Sequence, residues 1–529
     1  MQGKNKTEEK FMQFTQGLHR AVQQRPKSIA TVCQGRIKTY RDIHDRVARL
    51  AGGLVQLGIR RGDRVCILSL NSDRYLEAYL AIAWIGAVAT PTNFRWSSAE
   101  IVYALNDSDC RAMIVDDHCA PQIEAIRNGC PLLQQVIFAG DGALPGGALA
   151  FEDLVATSTP IPDLEIAGDE LFGIFYTGGT TGTPKGVMLS HLNVCSSALA
   201  LMAEGAFLEG AMGLHTAPMF HLADMAMVTG LLLRGAGHVM LPAFTPDAVL
   251  DLIETHKVSD ILLVPTMLQI LVDFPGIQKR DVSSLKRIVY GASPASEALL
   301  DRAARMLPGA SFMQGYGMTE TAALIAVLPP SMHTPEGRRH DKLRSCGRST
   351  YHAQMRIVDD EDRELPRGEV GEIIARGPNI MQGYLNKPEA TESALRHGWM
   401  HTGDMGYMDD DGYVFIVDRL KDMIISGGEN IYSVEVENAV AKHASVAATA
   451  VIGIPSAEMG ETVHAVVVLK PGATLELAEL QAHCKTLIAG YKCPRSLEIR
   501  EALPMSGVGK VLKTELRKPF WESRDRAVS

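Results

Sequence analysis

The segment Tyr176-Thr-Gly-Gly-Thr-Thr-Gly-Thr-Pro-Lys-Gly186 gathers glycines, hydroxyls and one lysine into a single short stretch. Glycine lets a backbone turn where a side chain would clash, and it leaves N–H groups bare. Bare N–H groups and the hydroxyls of Thr177, Thr180 and Thr181 are donors for phosphate oxygens, and Lys185 adds a positive charge. A flexible surface turn would account for Gly178, Gly179 and Gly182, but it requires neither the adjacent threonines nor the lysine. The stretch is not a P-loop. That pattern needs glycine before its lysine and Ser or Thr after it, whereas Pro184 precedes Lys185 and Gly186 follows it.

Four further segments carry chemistry. Gln314-Gly-Tyr-Gly-Met-Thr-Glu320 joins an aromatic face that can stack on a base to a hard carboxylate suited to Mg²⁺ shared with phosphates. The same residues read as a tight turn opening a helix capped by Thr319, and both hold together because a helix N-terminus favours anions. Trp399-Met-His-Thr-Gly-Asp404 ends in a carboxylate that accepts two hydroxyl donors well, although Gly-Asp is also ordinary turn chemistry. Asp418-Arg-Leu-Lys-Asp-Met-Ile-Ile-Ser-Gly-Gly-Glu-Asn430 closes on what reads as a turn before the next helix. In Leu503-Pro-Met-Ser-Gly-Val-Gly-Lys-Val-Leu-Lys513, Lys510 follows Gly507 and Gly509; taken alone it is a solvated surface lysine.

In their order and spacing the five segments resemble the adenylate-forming (AMP-binding) superfamily, in its acyl-CoA synthetase and fatty-acyl-CoA ligase-like branch. The resemblance runs from roughly the first thirty residues to the last twenty. It implies two steps: a carboxylic acid and ATP give an acyl-adenylate and pyrophosphate, then a thiol, usually that of coenzyme A, displaces AMP. The implied catalytic residues are Lys510, Glu320, Thr181 and Lys185, with Glu320 also holding Mg²⁺. The implied nucleotide and coenzyme contacts are Thr177, Gly178, Gly179, Thr180 and Gly182 on the phosphate loop, then Gly291, Ala292 and Ser293. Gln314, Gly315, Tyr316, Gly317 and Thr319 follow, with Tyr316 on adenine and Thr319 near the phosphate. Asp404 would take the ribose hydroxyls and Arg419 a second nucleotide contact. Lys421 would be the hinge between domains, and Gly427 and Gly428 would lie beside the thiol tunnel. The Lys510 loop ends Ser-Gly-Val-Gly-Lys, a departure from the usual Thr-Gly-Lys; a cation there would stabilise charge building up at the carboxylate and α-phosphate. No Gly-x-Ser-x-Gly elbow or Cys–His pairing offers a covalent route.

The resemblance aligns Ala217-Pro-Met-Phe-His221 with the acyl pocket, making His221, Met219 and Gly315 substrate residues. Amino-acid-activating members carry an aspartate where His221 stands, so amino acids are disfavoured. The small residues of Tyr290-Gly-Ala-Ser-Pro294 leave room for a sizeable apolar acid, a medium- or long-chain fatty acid or an aryl acid. Plant coumarate ligases carry lysines near the thiol-side glycines, where this chain has Ile425, Ser426 and Gly427, a version closer to bacterial fatty-acyl ligases. Transfer to a carrier-protein thiol or to oxygen chemistry, and a non-catalytic binding role, are the alternatives. The partners implied are the acid, ATP and coenzyme A, with a homodimer as the one macromolecular partnership to test.

Composition narrows the class. With 529 residues, 46% hydrophobic and 21% charged, the chain has ample core for several domains. A net charge of -9 argues against a nucleic-acid binder. The nine cysteines lack zinc spacing: Cys110 and Cys119, like Cys484 and Cys493, stand too far apart for a C-x₂₋₄-C half-site. Free thiols in a reducing compartment follow. The N-terminus is polar, and apolar stretches such as Ala78 to Thr90 fall short of the ~20 residues of a spanning helix. The last three residues, Ala-Val-Ser, are no peroxisomal address, so a cytoplasmic protein without a transmembrane segment is expected.

The elements that must position these residues alternate. Strands are predicted at 64–70, 112–115, 171–176, 260–265 and 287–291, and helices at 74–85 and 296–307, a pattern of α/β layers with mostly parallel sheets. Shorter strands from about Gln354, as at 371–377, predict a β-rich subdomain. Beyond Lys421 the order helix (434–442), strand (447–453), strand (463–469), helix (475–487) predicts a small α+β cap. The expected division is a multi-layered N-terminal domain, 1–420, with a mobile C-terminal cap, 421–529. Gly140 to Gly147 reads as a surface loop, and the charged run 336–344 as solvated loop, with a coenzyme A phosphate role as its lesser reading.

Overall fold

Five-residue apolar runs such as Arg64–Leu68 are too short for a helix and are buried on both faces, which is the signature of a strand inside a parallel sheet. The computed structural model describes residues 12–177, 184–293, 295–419, 421–426, 429–456, 458–506 and 511–521, apart from the Arg419 side chain. The described residues divide into two compact units: those within 12–177, 184–354 and 376–400 form the first, and those within 355–375 and 401–521 the second.

In the first unit an 8-stranded sheet runs in the order Gly383–Tyr384, Lys185–Ser190, Leu171–Thr177, Val88–Pro91, Arg64–Leu68, Cys110–Val115, Gln135–Phe138, Leu149–Ala150. Its central pairings are parallel, and the strands around Lys185 are antiparallel. A second sheet has the parallel order Ser311–Tyr316, Arg287–Gly291, Asp260–Leu263, Met212–His215, Gly237–Met240, Ile29–Cys33, with antiparallel strands beyond Ser311–Tyr316 and Ile29–Cys33. Helix Asp73–Trp84 is buried along its whole length. It therefore buries Asp73 and, one turn on, Glu77, which survive as ions because Arg36, Lys38 and Arg46 close on them at 2.5–3.0 Å. Burial alone would raise the Asp73 carboxyl, but Arg36 and Lys38 hold it well below the usual carboxylate range.

The second unit contains the strands Gln354–Val358, Gly371–Arg376, Met400–Met408 and Tyr413–Arg419, and a 5-stranded sheet around Val446–Ser456 and Gly460–Leu469. Helices Ser433–Val440 and Leu477–Lys485 supply Val436, Val440, Leu480 and Cys484 to its core. All nine cysteines are buried and none forms a disulfide. Among the described residues no helix is long and apolar enough to cross a membrane.

One local expectation is corrected. Thr319 does not cap a helix: Thr319–Thr321 is a single 3₁₀ turn whose N-cap is Met318. It stops because Ala322 and Ala323 take positive φ, 48° and 83°, which reverses the chain. Gly427 and Gly428, expected in a turn before the next helix, lie outside the described residues. Ile424–Ser426 and Glu429–Ile431 pair antiparallel as a hairpin, and the helix starts only at Ser433. The charged run 336–344 forms a 3₁₀ turn, Gly337–His340, tied back through Arg338 to Asp301 and through Arg344 to Glu297.

Candidate active site

The glycine–threonine loop is slung between adjacent strands. Tyr176 faces Gly186 and Thr177 faces Lys185 in antiparallel register, so the two ends of the loop start side by side. Gly178, Gly179, Thr180, Thr181 and Gly182 lie outside the described residues. The Thr177 hydroxyl lies 3.5 Å from the Lys185 carbonyl oxygen, and the Tyr176 phenol donates to Asp107 Oδ2 at 2.7 Å. Neighbouring the Lys185 strand is Gly383–Tyr384, with Tyr384 opposite Val187. The Lys185 ammonium sits 4.8 Å from the centroid of the Tyr384 ring, a cation–π distance.

The same tyrosine reaches Glu320. Its hydroxyl donates to Glu320 Oε1 at 2.8 Å, and the Glu320 carbonyl accepts the Met381 N–H at 2.9 Å. Glu320 is only 7% exposed. Burial, then the adjacent Glu320 charge, pushes the Tyr384 phenol well above its ordinary value, so it remains a donor at any physiological pH. Tyr384 thus joins the phosphate-loop cation to the proposed metal carboxylate, and no motif in the sequence marked it. With Oε1 engaged, the carboxylate keeps acceptor capacity for a hard cation. Among the described residues no three metal-ligating side chains converge. One carboxylate plus substrate phosphates nevertheless fits Mg²⁺, which keeps several waters and shares its ligands with phosphate.

Beside this, strand Arg287–Gly291 runs parallel to Ser311–Tyr316, with Tyr290 opposite Gln314 and Gly291 opposite Gly315. A Cβ on Gly291 would overlap the Gly315 carbonyl oxygen, and one on Gly317 would overlap that of Ala323. These glycines are demanded by backbone packed against backbone. Ala292 follows at φ 66°, a left-handed alanine at the end of the strand. The loop 291–293 and the run Gln314, Gly315, Tyr316, Gly317 and Thr319 are therefore brought together at neighbouring strand ends. Their support is a residue that sequence reasoning missed, His333. Its Nδ1 lies 3.1 Å from the Pro329 carbonyl, so Nδ1 carries the proton and Nε2 accepts from the Tyr290 phenol at 2.9 Å. Burial holds the His333 pKa down at about 4, which keeps this tautomer neutral.

Segment 217–221, the expected acyl segment, is held by hydrogen bonds from Asn71 and Tyr79. Asn71 donates through Nδ2 to the Ala217 carbonyl at 2.7 Å and accepts the Met219 N–H through Oδ1 at 2.8 Å, while the Tyr79 phenol donates to the Met219 carbonyl at 2.9 Å. Met219 is fully buried. Phe220 meets Phe94 edge-to-face at 5.5 Å. His221 is the N-cap of helix Leu222–Arg234, with Nδ1 accepting the Ala223 N–H at 3.2 Å, so its remaining proton is on Nε2.

In the second unit Asp404 and Arg419 are register partners on adjacent antiparallel strands. Gly403, at φ 69°, makes the kink before Asp404, and Glu372 holds that kink by accepting the Gly403 N–H at 3.0 Å. Asp404 is 8% exposed. Lys421 is half-buried. Its neighbour Asp422 pairs with Arg517 at 2.7 Å. Gly427, Gly428 and Lys510 lie outside the described residues. A bridge between Met505 and Val511 brackets the Lys510 loop. Just beyond it the Lys513 ammonium contacts Glu437 at 2.7 Å and Ser433 at 2.5 Å, and the Ser433 hydroxyl donates to Asp418 at 3.0 Å. Burial opposes the Lys513 charge, but Glu437, Asp418 and Asp422 outweigh it and hold the ammonium above its ordinary pKa.

Comparison with known proteins places the chain in a family. The model of the AMP-binding enzyme family matches residues 18–385, and that of the AMP-binding enzyme C-terminal domain matches 435–510. A feruloyl-CoA synthase of an Amycolatopsis species is 40% identical over 503 residues, covering 95% of this chain and 98% of the relative. The fatty acid–[acyl-carrier-protein] ligase ScoC of Streptomyces coeruleorubidus is 35% identical, covering 96% of each. The crystal structure of ATP-bound MatB from Rhodopseudomonas palustris superposes with a TM-score of 0.86 at 30% identity, covering 95% of this chain and 98% of that one. The chain belongs to the AMP-binding enzyme family and is an AMP-forming acid–thiol ligase of the acyl-CoA synthetase type.

Proposed function

We propose that this enzyme activates an apolar aryl acid of the phenylpropenoic kind as its acyl-adenylate and passes the acyl group to coenzyme A. The observation that carries the adenylation site is Tyr384, which touches both the Lys185 ammonium and the Glu320 carboxylate. A cation for phosphate and an anion for metal, oriented by one neutral phenol, are what a metal–nucleotide requires. Thr180, Thr181 and the loop N–H groups would hold the phosphates, with Glu320 taking Mg²⁺. Tyr316 would stack on adenine, and Asp404 with Arg419 would take the ribose. Lys510 would neutralise charge as the carboxylate oxygen attacks the α-phosphorus and pyrophosphate leaves. The cap, residues 421–529, would then turn about Lys421 and bring Gly427 and Gly428 beside the incoming thiol. Displacement of AMP needs no covalent enzyme nucleophile, because the mixed anhydride already carries a good leaving group.

The aryl preference is supported by the identity to a feruloyl-CoA synthase and by the edge-to-face Phe94–Phe220 pair beside His221. A second reading, a fatty acid handed to a carrier-protein thiol, is favoured by the likeness to ScoC. AMP release with ATP and Mg²⁺ decides between them, using ferulate, cinnamate, benzoate and fatty acids from acetate upward, each with coenzyme A, with acyl-carrier protein and with neither. Coenzyme A-dependent turnover of ferulate or cinnamate is expected. Carrier-dependent turnover of fatty acids alone would replace the proposal with the second reading. A cytoplasmic location and a homodimer complete the proposal, and cell fractionation and solution mass test them.

A further inference from the structure

Behind the acyl segment lies a polar chain that the two half-reactions do not use. His215, at the end of strand Met212–His215, places Nδ1 2.8 Å from Asp224 Oδ2, in the first turn of helix Leu222–Arg234. His215 Nε2 is 3.0 Å from His238 Nδ1 on strand Gly237–Met240, and the two rings stack at 5.2 Å with 7° between their planes. All three residues are fully buried. With Asp224 Oδ2 as the acceptor, the proton of this bond sits on His215 Nδ1. With His215 Nε2 as the acceptor of the second bond, His238 donates through Nδ1. Burial, then His215, holds His238 far below the ordinary histidine value, which keeps it neutral. Asp224 Oδ1 and His238 Nε2 are left without partners among the described residues, and so is the hydroxyl of Thr31, the register neighbour of His238.

The His215–Asp224 contact closes a loop. It staples residue 215 to residue 224, and the segment between them contains Met219, Phe220 and His221. Asn71 and Tyr79 hold the middle of that segment, while the staple holds its two ends. Apolar residues of similar volume would fill this space with no orphaned polar atoms and equal or better stability. What the hydrogen-bonded staple adds is one allowed geometry. We propose that Asp224, His215 and His238 are positioning residues for the acyl pocket: they set the placement of Met219–His221, and through it the affinity for the acid. This rests on the reading of 217–221 as the acyl segment.

The test is pyrophosphate exchange with the full-length enzyme and whichever of ferulate, benzoate and decanoate turns over fastest. Asp224→Ala is expected to raise KM for the acid about tenfold, with KM for ATP changed less than twofold. Asp224→Asn, which keeps an acceptor for His215, should recover most of that loss. His238→Phe keeps the stacked ring, removes the donor, and should raise acid KM about threefold; it also serves if Asp224→Ala fails to fold. His221→Ala and Met219→Ala are run beside them. If these two raise acid KM while the Asp224 and His238 variants leave it unchanged, or raise both KM values alike, the positioning role is overturned and the acyl pocket stands. If none of the variants moves acid KM, the acyl-segment reading falls and the proposal with it.

Discussion

Replacing Tyr384 by Phe removes one oxygen from the point where Lys185 and Glu320 meet. The lost bond is a 2.8 Å donation to a carboxylate that is 7% exposed. A hydrogen bond to a charged group contributes about 1.5–3 kcal/mol. Glu320 keeps a fringe of solvent, so about 2 kcal/mol is a fair central figure, or roughly 30-fold in kcat/KM at 1.4 kcal/mol per factor of ten. The ring stays in place, so the Lys185 contact at 4.8 Å is retained. Tyr384→Leu removes the ring as well and should lose a further factor of about 2–30, the range of a cation–π contact of about 0.5–2 kcal/mol. The assay is ATP–pyrophosphate exchange with ATP and Mg²⁺ varied separately. The phenylalanine variant should need more Mg²⁺ for half-maximal rate, whereas the leucine variant should in addition show a raised KM for ATP. The reasoning is refuted if Tyr384→Phe keeps full kcat/KM and an unchanged Mg²⁺ requirement, or if leucine is no worse than phenylalanine.

Other expected outcomes follow from the same geometry. Lys510→Ala should lower the adenylation rate by about 100-fold or more, the scale of removing a preorganised charge contact, while thioester formation from preformed acyl-adenylate survives; single-turnover assays of each half-reaction separate the two. Lys421→Pro should spare one half-reaction and cripple the other, and equal loss of both would remove Lys421 as the hinge. Lys38→Met strips a partner from the buried Asp73 and Glu77 and should destabilise the fold by about 3 kcal/mol at pH 7, measured by urea titration. Because Asp73 is held below its unfolded pKa, its contribution is complete above that value and is lost as pH falls through the folded one, so the gap from wild type should narrow below about pH 4. Gly291→Ala forces a Cβ onto the Gly315 carbonyl and should cost both stability and nucleotide binding, read by thermal unfolding with and without ATP.

Local signals carried most of the elements. Helix Glu297–Met306 begins where expected, because its Ser296 cap accepts the Leu299 N–H from three residues away. The apolar runs at Arg64–Leu68, Asp260–Leu263 and Arg287–Gly291 are strands, as their length and burial require. The Thr319 turn misled because the event that ends it is not local. Residues 322 and 323 adopt a left-handed backbone so that the Ile325 N–H can donate to the Tyr316 carbonyl at 2.8 Å. Composition around Thr319 contains no trace of that bond.

What the sequence by itself determined is the chemistry on offer: a glycine–threonine loop with its lysine, a carboxylate at 320, an aromatic at 316, an aspartate at 404 and a lysine at 510, each in a short contiguous motif. Residue type and near-neighbour spacing are enough for that, because turns, caps and bare N–H groups act over a few residues. Tertiary structure alone decided which groups are held and by what. Tyr384 meets Glu320 from 64 positions away, Tyr290 meets His333 from 43, and Asn71 clamps Met219 from 148. Sheet order sets those meetings, and sheet order follows from burying many apolar faces at once rather than from any one segment. The side chains proposed to bear the chemistry were therefore legible one by one, and the ones that orient their neighbours became visible only when distant strands lay side by side.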